Sequence, residues 1–296
     1  MAKATAEVKL QEPPTAVETA LAEVPKDTAV AKAESLDDLF REDAGGGLKN
    51  LGANDFAIPF ISVLQKGSPQ VSKNNAKYVK GAEQGMFFNT LTGDLYPGNN
   101  EGDVEGDALP GILVIPCGYQ KQLVRWKPRD SGGGLVCHYN ENDPAIKTFT
   151  RNERGQLTDK GSGDIIIDTA YHFCLLLHEG GFPEFAVISM ASTQLKKSRT
   201  WNTVMRRIMV KTPNGELYNP PSYSQVYRIK TIGEVKDNYD WYGLLITSEG
   251  KVTDINVYKM AREFAKQVES GNVRVSAPPQ DFDDAAAPAN KEDVPF

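Results

Sequence analysis

Between Phe185 and Gly215 the chain carries no carboxylate, yet it holds Lys196, Lys197, Arg199, Arg206, Arg207 and Lys211. A row of cations with no acid to neutralise it suits a polyanion, because each phosphate it meets releases condensed counterions. Surface helices ordinarily mix charge signs, so the missing acids say more than the cations do. Wound at about 100° per residue over 195–211, Lys196, Arg199, Thr203, Arg206, Arg207 and Lys211 share one arc. Trp201, Val204, Met205, Ile208 and Met209 fall on the opposite side. The spacing predicts a helix over 194–210 with one face in a core and the other open to phosphate. The plainer alternatives are a solvated helix face and an acidic partner, which includes the chain's own acidic end.

Two further segments interleave cations with rings. Lys121, Arg125, Trp126, Lys127 and Arg129 lie in one strand-like run, where Tyr119, Lys121, Leu123, Arg125 and Lys127 share a face and Trp126 takes the other. Tyr227, Arg228 and Lys230 form the second, with Tyr223, Tyr239, Trp241 and Tyr242 nearby. Rings that stack on unpaired bases, beside cations that follow a backbone, make a groove for single-stranded nucleic acid. Each ring taken alone reads better as core; the recurrence across three basic segments favours the groove.

Other chemistries are less well supplied. Cys137, His138, His172, Cys174 and His178 contain zinc-type donors, but no Cys-x-x-Cys pair occurs and the residues sit in apolar runs. Glu234 and Lys236, with Asp164 or Asp168, are the parts of a Mg²⁺-dependent nuclease. A Glu-x-Lys triplet is nevertheless frequent by chance. Gly45–Gly47 and Gly132–Gly134 are not followed by Lys-Ser or Lys-Thr, so neither is a phosphate loop. No nucleophile has a base at a telling distance. The expectation is a non-enzyme with no metal and no cofactor.

The elements that must hold these residues are mostly strands. Runs rich in β-branched and aromatic residues at 86–91, 111–126, 134–139, 146–151, 164–178, 184–191, 223–236 and 239–248 are divided by turn clusters. Hairpin tips fall at 179–182 and between Glu234 and Asp240. A second helix is expected over 254–270, capped by Thr253 or Asp254 and stopped by Gly271. A helix inserted among short strands, with another after them, describes a mainly β (α+β) fold: an OB-fold-like antiparallel β-barrel with inserted and C-terminal helices. A two-sheet sandwich has similar strand spacing.

Charge divides the 296 residues into three parts. Residues 1–43 carry five Lys/Arg and ten Asp/Glu, residues 281–296 carry one and five, and the stretch between has a net charge of +3. The expected organisation is a disordered acidic arm over 1–50, a nucleic-acid-binding domain over 51–275 and a disordered acidic tail over 276–296. Within the first arm, Ser35–Phe40 has the pattern of a short helix. Three cysteines fit a reducing compartment, and no stretch approaches the roughly 20 apolar residues of a membrane span. A cytoplasmic location is expected.

The tail ends in Asp293, Val294, Pro295 and Phe296. An aromatic terminus behind acids suits docking, with the ring in an apolar pocket and the carboxylates against basic residues. With a basic, aromatic, strand-rich body, this ending resembles the single-stranded DNA-binding proteins of bacteria and their phages. The acidic N-terminal arm and larger body look more like a phage-encoded variant. The resemblance implies an OB-fold that coats single-stranded DNA, and a tip that recruits replication, recombination and repair proteins. Its close correspondence covers Asp293 to Phe296. Oligomers are compatible with it, and a virion or scaffold component is the alternative.

Overall fold

The computed structural model describes residues 35–43, 46–47, 57–99, 111–128, 131, 134–153, 155–178, 180–237 and 239–273. Arg129, most of the N-terminal acidic arm and all of the C-terminal tail, the tip Asp293–Phe296 included, lie outside these. The chain divides into units of residues 1–50 and 51–296. In the first, Leu36–Glu42 forms helix α1, with Ser35 Oγ accepting from the Asp38 amide at 3.2 Å. The short helix read over 35–40 is therefore present.

The second unit runs β1 (Ile61–Val63), β2 (Phe87–Asn89), β3 (Leu95–Tyr96), β4 (Ile112–Trp126), β5 (Leu135–Asn140), β6 (Thr150–Arg151), β7 (Leu157–Thr158), β8 (Ile165–Leu177) and β9 (Glu184–Ala191). It continues through α2 (Gln194–Arg207), β10 (Val210–Lys211), β11 (Leu217–Tyr218), β12 (Gln225–Lys236), β13 (Tyr239–Lys251) and α3 (Ile255–Glu269). The architecture is mainly β, and its main sheet is an antiparallel curled half-barrel. The path runs β13-β12-β4-β8-β7-β6, with β5 added to β4 and β9 added to β8. Both expected hairpins form: Leu176 pairs with Glu184 across 179–182, and Lys236 pairs with Tyr239.

The long strands β4 and β8 are shared by two halves of the sheet. Ile112–Val114 pair with β12, whereas Gln122–Trp126 pair with β5 on the same edge. Between them Pro116 is opposite Cys174 and Gly118 is opposite Phe173, so Cys117 is an extra, bulged residue. A proline inside a central strand is accommodated at such a bulge because the ladder is already interrupted. Gly118 lets α3 come close, since a Cβ there would lie 2.6 Å from Val268 Cγ1.

Both faces of β8 are covered. Tyr171, Phe173 and Leu175 pack with Ala261, Phe264 and Val268 of α3. Ala170, Cys174 and Leu176, one step out of phase, pack with Trp201 of α2 and with Ile61 and Phe87. That explains why 169–176 is buried throughout rather than at alternate residues, with only Thr169 and His172 interrupting its apolar content. The α3 boundaries match the expected 254–270 closely, and Asp254 Oδ1 accepts from the amides of Asn256 and Val257.

Residues 146–151 depart from expectation. Pro144–Thr148 is a 3₁₀ turn, and only Thr150–Arg151 is strand. Asp143 accepts from the Ala145 amide and Pro144 fixes φ at the first position, which together start a helical turn.

Strand β13 is an edge, and two glutamines cover part of it. Gln65 donates to Tyr242 O at 2.9 Å and accepts from Tyr242 N at 2.8 Å, while Gln194 Oε1 accepts from Leu244 N at 3.1 Å. An amide side chain reproduces what a neighbouring strand would offer and blunts the edge. Gln65→Ala leaves a donor and an acceptor exposed to a further strand. The expected result is a loss of about 1–2 kcal/mol in urea denaturation, with more self-association by sedimentation.

Candidate nucleic-acid interface

The sequence-derived cations separate into two classes. Arg125 is consumed by its surroundings: Nε donates to Asp164 at 2.7 Å, and Nη2 donates to Asp159 and to Ser162, each at 2.8 Å. Hydrogen bonds with Tyr139 and Asp164 hold its pKa above the ordinary guanidinium value. Lys121 bridges Asp168 at 3.1 Å and Glu141 at 3.2 Å. Burial opposes its charge, but hydrogen bonds to those acids outweigh the penalty and raise its pKa. Arg228 donates to Glu249 at 2.6 Å, and Lys197 is paired with Glu234, whose second oxygen accepts from Trp241 Nε1 at 2.7 Å. Lys197 ties α2 to the sheet, and the other three bridge strands and turns of the sheet itself.

Two expected stacking rings are corrected outright. Trp126 is 3% exposed and belongs to the core beneath α3. Tyr227 is 1% exposed and meets Trp201 edge to face, with centroids 5.5 Å apart. Neither offers a face to a base. Both lie on the covered face of an alternating strand: Val124 and Trp126 are buried on either side of Arg125, and Tyr227 is buried in phase with Gln225, Ile229 and Thr231.

The second class is exposed. Lys196, Arg199, Arg206 and Arg207 lie on the outer side of α2 and span roughly 100° of its circumference. Lys127 and Lys211 are exposed, and Lys230 is partly so. The helix is shorter than the predicted 194–210. It stops at Arg207, and Ile208 is extended. Lys211 therefore sits on β10 and not in the helical arc, while Val204 and Met209 are exposed instead of buried. Asn219 Nδ2 donates to Ile208 O at 2.7 Å and Met205 O at 3.3 Å, closing the helix end with a side chain eleven residues on.

What fixes α2 is a histidine. Ser198 and Trp201 are its buried residues. His172 of β8 stacks on Trp201 at 4.5 Å and 24°, and its Nε2 is hydrogen bonded to Ser198 Oγ at 2.8 Å. Burial pushes the His172 imidazole down to about 3, so it is neutral at pH 7. The unfolded chain titrates near 6.5 and takes up a proton that the folded chain refuses. Stability thus falls as pH drops from 6.5 towards 3, by about 2 kcal/mol at pH 5 relative to pH 7. Urea denaturation at the two pH values should show this loss, and His172→Gln should flatten it. Burial shifts His138 in the same direction, so His138→Gln is the control.

The alternative sites come apart. Among the described residues no three of His, Cys, Asp and Glu group as ligands for a metal ion. Glu234 is held by Lys197 and Trp241, Asp164 by Arg125, and Asp168 by Lys121. Burial pushes Cys117 up to about 12 and Cys174 well above its usual value, so both thiols are protonated.

The sequence reading missed the short β10–β11 hairpin, which carries exposed Leu217 and Tyr218. Its signal was present: Pro213-Asn214-Gly215 between two apolar pairs is a turn between strands.

Fold and site define a β protein whose curled antiparallel sheet carries an outward-facing cationic helix. The profile of the Pam3 phage gp34-like family matches residues 26–274, 249 of the 296 positions. The chain belongs to the Pam3 phage gp34-like protein family. No curated protein and no solved structure matches it. Among the described residues no helix is long and apolar enough to cross a membrane.

Proposed function

We propose that this phage-family protein binds single-stranded DNA without catalysis, coating it during replication, recombination or repair in the cytoplasm of the host. The observation that carries the reading is the exposed row of Lys196, Arg199, Arg206 and Arg207 on α2, in an interval from Phe185 to Gly215 whose own sequence contains no acid. A curled antiparallel sheet with a helix between strands is compatible with an OB-like scaffold. The acidic ending from Asp281 to Phe296 supplies the second half: a recruiting tip that also competes with phosphate for the same cations.

Fluorescence anisotropy with single- and double-stranded oligonucleotides at two salt concentrations tests it. The expected result is tighter binding to the single strand, falling steeply with salt. Equal, weak binding to both at both salts rejects the proposal. Removing residues 281–296 is expected to tighten binding at low salt and to end capture of replication or recombination proteins. Unchanged affinity at every salt excludes self-competition.

A virion or scaffold component is the second reading, favoured by the long edge strand β13. Its ladder beyond Leu244 has no third strand among the described residues. That reading expects ordered self-assembly without DNA, and no salt-dependent affinity for oligonucleotides.

A further inference from the structure

We infer that the β10–β11 hairpin is the base-contacting element of the interface, with Tyr218 as the ring on which an unpaired base stacks. The inference rests on the single-strand reading above and supplies what that reading lacks. A row of cations alone follows any phosphate backbone and discriminates poorly between one strand and two. Preference for an unpaired strand requires an accessible ring, and Trp126 and Tyr227 are buried.

Tyr218 is 46% exposed and Leu217 is 60% exposed. The next residue, Asn219, is hydrogen bonded to the carbonyls of Met205 and Ile208, so the hairpin is tied to the helix end that carries Arg206 and Arg207. Among the described residues no other exposed ring has that tether. Tyr119 packs edge-on against His172 at 5.2 Å, Tyr239 lies at the β12–β13 turn, and Phe182 lies at the β8–β9 tip.

The hairpin is also pre-formed. The Thr212 amide donates to Glu216 O at 2.8 Å, and the Gly215 amide donates to Thr212 O at 2.9 Å. Val210 pairs with Tyr218 and Lys211 pairs with Leu217, which puts ring and ammonium on opposite faces of the ribbon. Stacking and charge are thus removable one at a time. The occupant is a single strand on grounds of charge: every charged residue from Phe185 to the turn at Gly215 is a cation, and Lys196, Arg199, Arg206, Arg207 and Lys211 are exposed.

The test uses the full chain with three probes: oligo-dT, a base-free deoxyribose-phosphate oligomer of equal length, and a duplex. Tyr218→Ala is expected to weaken oligo-dT binding by roughly tenfold with the same salt slope, and to leave the base-free oligomer unaffected. Tyr218→Phe keeps the ring and is expected to bind like the wild type. Lys211→Ala is expected to lower the salt slope on both single-stranded probes. A Tyr218→Ala chain that binds oligo-dT as tightly as a binding wild type overturns the inference alone. If the wild type self-associates, a Tyr218→Ala chain that loses self-association while keeping its DNA affinity also overturns it and assigns the ring to a second copy. A wild-type chain that fails to bind oligo-dT at low salt brings down the function reading, and this inference with it.

Discussion

Replacing Arg206 and Arg207 with alanine is expected to weaken oligo-dT binding by about 25-fold at 0.1 M salt. Each phosphate contact on a single strand contributes a slope of about 0.7 in log K against log salt, so two lost contacts flatten it by about 1.4. Carried from 1 M to 0.1 M salt, that slope difference gives the stated factor. The two arginines also occupy the last turn of α2, where a cation meets the negative end of the helix dipole. The double variant therefore loses some stability, about 0.3–1 kcal/mol for each arginine, which circular dichroism separates from the binding effect. Arg125→Ala is the informative contrast. In the sequence it belongs to an equally basic segment, but here it lies between Asp159 and Asp164. Its loss should lower Tm and leave DNA affinity unchanged. If Arg125→Ala weakens binding as much as the double variant, the assignment of the interface to α2 is wrong.

Gly98→Ala is expected to be the most damaging small substitution in the body, costing on the order of 3–5 kcal/mol. A Cβ at Gly98 would lie 1.7 Å from the carbonyl oxygen of Gly85 and 2.3 Å from Thr231 Oγ1. The obstacle is backbone, which cannot rotate out of the way. Moving it breaks the hydrogen bond from Thr231 Oγ1 to Gly85 O, at 2.6 Å, and that from the Thr231 amide to Gly98 O, at 3.1 Å. Thr231 is fully buried, so its freed groups have no water to turn to. Gly85 is itself packed tightly, since a Cβ there would come within 2.6 Å of the Tyr242 ring. Thermal unfolding of Gly98→Ala beside Gly93→Ala checks this, since nothing lies within 4 Å of a Cβ at position 93. Gly93 has φ +81°, so its own cost is backbone strain without a clash. Equal losses in the two variants would reject the steric argument.

How much of this was legible in the chain follows from the range of the forces involved. The strand runs that become β4, β8, β9, β12 and β13 were readable, because β-branched and aromatic content and the turn residues between runs act over a few neighbouring residues. The α3 cap was readable for the same reason: Asp254 bonds to amides two and three residues away. The fate of Arg125 was not, since its acids lie 34 and 39 residues along the chain. Nor was the burial of Trp126 and Tyr227, which depends on which faces α2 and α3 come to cover. The end of α2 was misplaced because its closing group, Asn219, arrives from beyond a hairpin. Of the candidate site, Lys196, Arg199, Arg206 and Arg207 were legible as one helical arc, and Tyr218 was not.

Because β4 and β8 run through both halves of the sheet, neither half has a frame of its own. β5 is a local partner of β4, but the other two partners come from 39 or more residues away in β8 and over a hundred away in β12. Contacts of such separation must close long loops before they return any energy, which gives high contact order and slow acquisition of structure. Half-made chains emerging from the ribosome would expose unsatisfied β edges until β12 is synthesised. Fragments cut anywhere between residues 130 and 220 should therefore aggregate instead of folding as smaller domains.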